Sequence, residues 1–145
     1  MKYTPALLLL AVLLGGDPIV VSPGGTVPTL TAALARAVPG DYIVVRPGVY
    51  REPTIVVAKR VTIEGVGGPV FDGGGQTVLL VTSDSVTIRG LVIRNVSPSN
   101  VEERAGIKLD HVRGCVIEAN EVLDTFFGIY GAAVRDCRVA RNRVV

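Results

Sequence analysis

Two cysteines and the sole histidine are the residues best suited to bind a metal in this sequence of 145 residues. The interval from Cys115 to Cys137 equals the interval from Gly106 to Gly128, and His111 shortly precedes Cys115. Thiolate and imidazole are ligands for soft and borderline metal ions. The cysteines have three open uses: a thiolate pair for a soft metal ion, a disulfide, or filling of the core, which is common for cysteine. His111 lies in a predicted turn, LDHVRG, where an exposed histidine is the usual case.

Carboxylates offer a second kind of chemistry, because two of them at a set separation can cleave a glycosidic bond. No aspartate has a partner aspartate at the interval that separates the cysteines: that position after Asp110 is Ala132, and before Asp124 it is Glu102. Solvated turns are therefore the predicted place of these residues, and catalysis by them is not expected. The candidates are Asp72, Asp84, Asp110, Asp124 and Asp136.

The charge and aromatic content argue against a nucleic-acid partner. The formal net charge is only +2, aromatic residues make up 5%, and Trp is absent, so neither a strong basic field nor a stacking surface for bases is expected. A local basic patch is predicted near the C-terminal end, either for an acidic partner or anionic sugar or as a solvated face. It consists of Arg135, Arg138, Arg141 and Arg143.

The elements that must position these residues are short and repeat along the chain. Val, Ile and Thr supply 45 of the 145 residues, which favours strands. VTIEG at Val61 recurs as VTIRG at Val86, and Gly106-Ile107 recurs as Gly128-Ile129. Such a fixed period indicates stacked repeats. The predicted fold class is all-β: a right-handed parallel β-helix with coils of about 22 to 25 residues.

A recurring asparagine supports the same period. An apolar residue is followed three positions later by Asn95, Asn120 and Asn142. Asparagine accepts left-handed corners and hydrogen-bonds its neighbours. A structural ladder of these three side chains is therefore predicted.

The N-terminal segment is typical of a secretory signal. A charged start precedes nine apolar residues, ALLLLAVLL, and then Gly15-Gly16. Residues 1–16 are predicted to be a signal peptide and 17–145 the β-helix domain, which implies a periplasmic or extracellular location. A buried N-terminal element is one alternative. The other is an uncleaved anchor extended by Ile19 to Val21, which would be the protein's only contact with a membrane.

One stretch favours a helix. PTLTAALARAV (residues 28–38) places Leu30, Leu34 and Ala37 on one face, and Pro39-Gly40 ends it. Because a stacked sheet has an open end, this helix is expected to cap the first coil.

Longer motifs resemble known β-helix proteins. AALARAVPGDYIVVRPGVYRE (residues 32–52) resembles the entry to right-handed parallel β-helices, in which a short helix is followed by PGD, a strand and PG-x-Y-x-E. NosD-like proteins are the family most similar to the motifs VTIRGLVIRN, AGIKL, CVIEANEV, FGIYG and RVARNRV. With the first motif included, the resemblance covers about residues 24–145. It implies an exported accessory factor for copper-site maturation in nitrous-oxide reductase. The implied metal is copper, and the implied partners are the reductase or ABC-transporter components.

The sequence departs from this family in two ways. NosD-like proteins are much longer, and this chain stops at Val145 directly after a repeat unit. A truncated or split product, or an end covered by another chain, is therefore expected. Apart from the initial Met, the soft ligands are one His and two Cys, a small inventory for copper. Since sugar-acting β-helices share these motifs, a carbohydrate-binding or polysaccharide-cleaving pectin-lyase-like protein is the alternative.

Overall fold

The computed structural model describes residues 16–145, so that nearly all of the predicted signal segment lies outside the described residues. The described part contains one short helix, α1 (Leu30–Arg36), and many short strands. In chain order the strands are β1 (Ile19–Val21), β2 (Tyr42–Val45), β3 (Val49–Tyr50), β4 (Ile55–Val57), β5 (Thr62–Gly65), β6 (Val70–Gly75), β7 (Leu79–Val81), β8 (Thr87–Arg89), β9 (Val92–Val96), β10 (Ala105–Asp110), β11 (Val116–Glu118), β12 (Glu121–Thr125), β13 (Phe127–Ala132), β14 (Arg138–Ala140) and β15 (Arg143–Val144).

Three parallel sheets run along the molecule. Sheet I has the order β1-β2-β5-β8-β11-β14, sheet II β3-β6-β9-β12-β15, and sheet III β4-β7-β10-β13. From β2 onward the chain visits sheets I, II and III in turn and then steps to the next layer. This is a right-handed parallel β-helix, as predicted.

The register of sheet I shows how the length of the turns varies. One column of equivalent positions runs through Ile19, Ile43, Ile63, Ile88, Ile117 and Val139. Its four middle members are fully buried and form an interior column. The turn from Ile43 to Ile63 is shorter than the predicted repeat, and the turn from Ile88 to Ile117 is longer. The long turn holds the loop 97–104 between β9 and β10. The repeat is thus less regular than predicted, because a loop on the outside can lengthen without disturbing the interior column.

The interior follows from the alternation within each strand. In VTIR, Val86 and Ile88 are fully buried, whereas Thr87 and Arg89 are only partly buried on the outer face. Each isoleucine of the column stacks on the one below, and burying such a side chain contributes about 1.5–3 kcal/mol. This apolar column holds the corners, and hence the candidate site, in fixed positions.

Helix α1 covers the first turn as expected, over a shorter span than the predicted 28–38. Thr29 caps it, since the Thr29 hydroxyl accepts the Ala32 N–H at 3.1 Å. Leu30, Leu34 and Ala37 are buried, so the predicted face is correct. No helix in residues 16–145 is both long and apolar enough to cross a membrane.

Charged side chains from the first turn hold both ends of α1. The Glu52 carboxylate accepts the Leu30 N–H at 3.0 Å, while Lys59 Nζ donates to the Leu34 and Ala37 carbonyls at 2.7 and 2.8 Å. An anion at the N-terminus and a cation at the C-terminus both complement the helix dipole. The Glu of PG-x-Y-x-E therefore anchors the cap to the solenoid.

The asparagine ladder has two members. Asn120 Nδ2 donates to Asn142 Oδ1 at 3.0 Å, and Asn120 Oδ1 accepts the Leu91 N–H at 3.1 Å. The prediction is wrong for Asn95, since Leu91 holds the equivalent place in the preceding turn. Asn95 lies at a left-handed corner further on (φ 66°), where its amide donates to Asp72.

Candidate functional site

The two cysteines lie at the corner where the chain passes from sheet III to sheet I. Cys115 immediately precedes β11 and Cys137 immediately precedes β14. In the β11–β14 pair, Val116 lies opposite Arg138, so the cysteines occupy the same position in adjacent turns. The structure thus brings together the pair that the repeat spacing predicted.

The two cysteines are in direct contact. The Cys115 N–H donates to Cys137 Sγ at 3.3 Å, and the Cys115 thiol donates to the Ser83 carbonyl at 3.5 Å. Cys137 Sγ also lies 3.4 Å from the Arg135 carbonyl. Both are free thiols, Cys115 fully buried and Cys137 partly exposed. One sulfur is therefore held in the interior, while the other faces both its neighbour and the surface.

Burial controls the chemistry of the inner thiol. Removal from water raises the pKa of Cys115, and the neighbouring Cys137 sulfur raises it further. Because the thiolate is the form that attacks electrophiles and binds metals, Cys115 stays protonated at neutral pH until a ligand displaces its proton.

His111 is not brought to this pair. It lies on the outer surface with its side chain 78% exposed, and its Nδ1 is 2.5 Å from Asp110 Oδ1. Its backbone is left-handed (φ 52°), in keeping with the predicted turn. Within residues 16–145 no three His, Cys, Asp or Glu side chains form a group able to hold a metal ion.

The aspartates form hydrogen bonds and ion pairs within their own turn and with the next turn. Asp72 accepts the Gly74 N–H at 2.9 Å and pairs with Arg94 at 3.2 Å, and the Gly74 hydrogen bond is the main cause that lowers the pKa of this carboxyl. Asp84 accepts the Arg113 N–H at 2.9 Å. Asp84 lies in a turn as predicted, whereas the prediction of a turn is wrong for Asp72, which lies in β6 because this strand pairs with β9. The remaining candidates lie at or beside left-handed corners: Asp110, Asp124 and Asp136.

The arginines of the predicted basic patch are spread over sheet I, sheet II and the corner that precedes sheet I. Arg141 lies 2.8 Å from Glu118 and Arg143 2.9 Å from Glu121, each glutamate being on the preceding turn. Arg135 lies instead at the sheet III to sheet I corner. These pairs between turns neutralise much of the charge that the sequence places together.

A second candidate binding surface, made of aromatic side chains, was not predicted from the sequence. The Phe126 and Phe127 rings lie 4.4 Å apart, and Tyr130 is 5.2 Å from Phe127. Together with loop residues 99–103, the two phenylalanines line an open pocket of about 320 Å³. The dipeptide Phe126-Phe127, two large rings at the start of β13, was the signal in the sequence that could have pointed to this surface.

Comparison with protein-family models, curated proteins and solved structures finds no match to the chain. The fold defines the class of the protein, a right-handed parallel β-helix.

Proposed function

We propose that the protein is an exported NosD-like β-helix scaffold that assists copper-site maturation of nitrous-oxide reductase, acting by binding rather than by catalysis. The observation that carries the proposal is the contact between Cys115 and Cys137, whose N–H to sulfur distance is 3.3 Å. Thiolates are the protein ligands that soft Cu(I) selects. In this role copper is cargo, taken up by one partner and delivered to another.

The geometry suits a two-sulfur site. Neighbouring parallel strands lie roughly 4.8 Å apart, a separation at which two cysteine side chains can converge on a common point. Cys137 is partly exposed and gives an entry path, whereas Cys115 is buried and keeps water from the inner side. Within residues 16–145 no third His, Cys, Asp or Glu side chain joins the two cysteines, so Cys115 and Cys137 are the residues that would hold the ion.

Proton release accompanies binding at such a pair. Because burial raises the pKa of the Cys115 thiol, Cu(I) must displace at least that proton. The apparent affinity therefore rises with pH up to the pKa of this thiol. The same dependence lets an acidic environment favour release of the cargo.

The test is an anaerobic titration of the fully reduced protein with Cu(I) against a competing chelator. We expect one copper per chain, with the affinity at least tenfold weaker in Cys115→Ser or Cys137→Ser and lost in the double variant. His111→Asn is the matched control, because asparagine tolerates the left-handed backbone at this position, and it should bind as the parent protein does. Stoichiometric binding that persists in the double cysteine variant, or no binding at all, would refute the copper role.

A further inference from the structure

The pocket beside sheet III, here called the aromatic pocket, is formed by loop residues 99–103 with Phe126 and Phe127. Phe126 is 41% and Phe127 37% exposed, which is high for phenylalanine. The loop is held by the Ser99 hydroxyl, which accepts the N–H groups of Val101 and Glu102 at 3.2 Å. The pocket is thus a defined surface that offers ring faces to a ligand.

The charged residues that line this pocket are both acidic. Glu102 pairs with Arg104 at 2.6 Å at the rim, whereas Glu103 accepts the Tyr130 hydroxyl at 3.3 Å and has no ion pair within the described residues. No Lys, Arg or His of the described chain belongs to the lining. The negative potential here also raises the pKa of Tyr130, mainly through the charge of Glu103. A cation therefore complements this pocket, and an anion is repelled.

The neighbouring ring already carries a cation. Lys108 Nζ lies 5.7 Å from the centroid of Tyr130, within the range of a cation–π contact. The Phe126 and Phe127 faces provide the same kind of surface beside it. Among protein cations, arginine suits this setting best, because its planar guanidinium stacks on aromatic rings while donating to a carboxylate.

We propose that the aromatic pocket binds an arginine side chain from an exposed basic segment of a partner protein, with the guanidinium stacked on Phe126 or Phe127 and paired with Glu103. This inference depends on the proposed function in one respect: both take the binding partner to be a protein. The aromatic pocket shares no residue with the cysteine pair, so the two can be tested separately.

The experiment uses a tetra-arginine peptide as the probe and follows backbone amide NMR shifts of the full chain during titration. The largest shifts are expected for Glu103, Phe126 and Phe127. Phe126→Ala with Phe127→Ala, and separately Glu103→Gln, should each weaken binding about fivefold or more. Asp136→Asn is the matched control: it removes one exposed carboxylate outside the pocket and keeps a residue that accepts the left-handed corner (φ 52°). It should change the affinity less than twofold.

Three results would overturn the proposal. The first is equal weakening by Glu103→Gln and Asp136→Asn, which would reveal nonspecific charge attraction. The second is binding unaffected by loss of both rings. The third is a neutral or acidic oligosaccharide that binds at these rings more tightly than the peptide, which would assign the pocket to carbohydrate. Repeating the titration with the double cysteine-to-serine variant separates this inference from the copper role, since peptide binding should persist there unchanged.

Discussion

At the residue scale, the Asn120–Asn142 contact shows how a polar side chain can serve the interior. Asn120 is only 2% exposed, and its side chain reaches the Leu91 N–H, the Ile88 carbonyl and Asn142 Oδ1, at 3.1, 3.1 and 3.0 Å. Its removal takes a hydrogen-bond partner from the Leu91 N–H and from the Ile88 carbonyl, which both lie on the preceding turn. Such a loss costs roughly 1–3 kcal/mol for each group.

We therefore expect Asn120→Ala to lower the free energy of unfolding by about 3 kcal/mol, as measured by urea denaturation. Asn95→Gly is the comparison, because Asn95 is exposed and glycine keeps its left-handed backbone accessible. That change should cost less than about 1 kcal/mol. A loss at Asn120 no larger than at Asn95 would contradict the ladder.

Some contacts between residues could be predicted from the sequence and others could not, for physical reasons. The Cys115–Cys137 contact was predictable, since the spacing of the cysteines equals the length of their turn, from Ile117 to Val139. The position of Asn95 could not be predicted from spacing in the same way. Its turn, from Ile88 to Ile117, is longer than the next one, and a spacing argument cannot tell which corner of a longer turn a residue occupies.

At the element scale, the repeated glycine of VTIEG and VTIRG has a steric cause. Gly65 and Gly90 stack where sheet I leads to sheet II. A Cβ on Gly90 would lie 2.4 Å from the Gly65 carbonyl oxygen. Gly90 also has a left-handed backbone (φ 76°). The repeat is therefore a packing requirement between turns as well as a turn signal.

Gly90→Ala should consequently destabilise the protein by roughly 3 kcal/mol or more, from backbone strain and overpacking together. Gly24→Ala isolates the strain alone, because Gly24 has φ 73° with nothing within 4 Å of its added Cβ. Its cost should be about 1 kcal/mol. Denaturant unfolding of the two variants measures the difference, and equal costs would show that the close approach of the two turns is not as described.

Strands with a clear alternation of apolar and polar residues were predictable from the sequence, and strands without it were not. Most strands of sheets I and III match the apolar runs in the sequence. Sheet II was largely missed: β6 contains Gly73 to Gly75, and β3 and β15 have only two residues each. These strands form because their neighbours pair with them, and tertiary context of this kind leaves little trace in local sequence. The same applies to β1, which the sequence suggested only as an extension of the apolar leader.

At the scale of the whole molecule, the cysteine pair and the aromatic pocket lie at different places around the solenoid. The cysteine pair lies between sheets III and I, whereas the aromatic pocket lies beside sheet III at the long loop. The interior column of sheet I holds the corner of the cysteine pair in place, because Ile117 of β11 is fully buried in it. The fold class, the average repeat length and the capping helix follow from the sequence, whereas the length of each single turn does not. The aromatic pocket does not, since it depends on how a loop outside the repeat folds against β13.

X-ray absorption at the copper edge, recorded on the reduced protein loaded with one equivalent of Cu(I), is the decisive measurement for the copper role. We expect a first shell of two sulfur atoms with no nitrogen. We also expect an identical spectrum for His111→Asn and the loss of this sulfur shell when both Cys115 and Cys137 are replaced by serine. A first shell containing nitrogen, or a spectrum that changes with His111 and not with the cysteines, would refute a two-cysteine copper site.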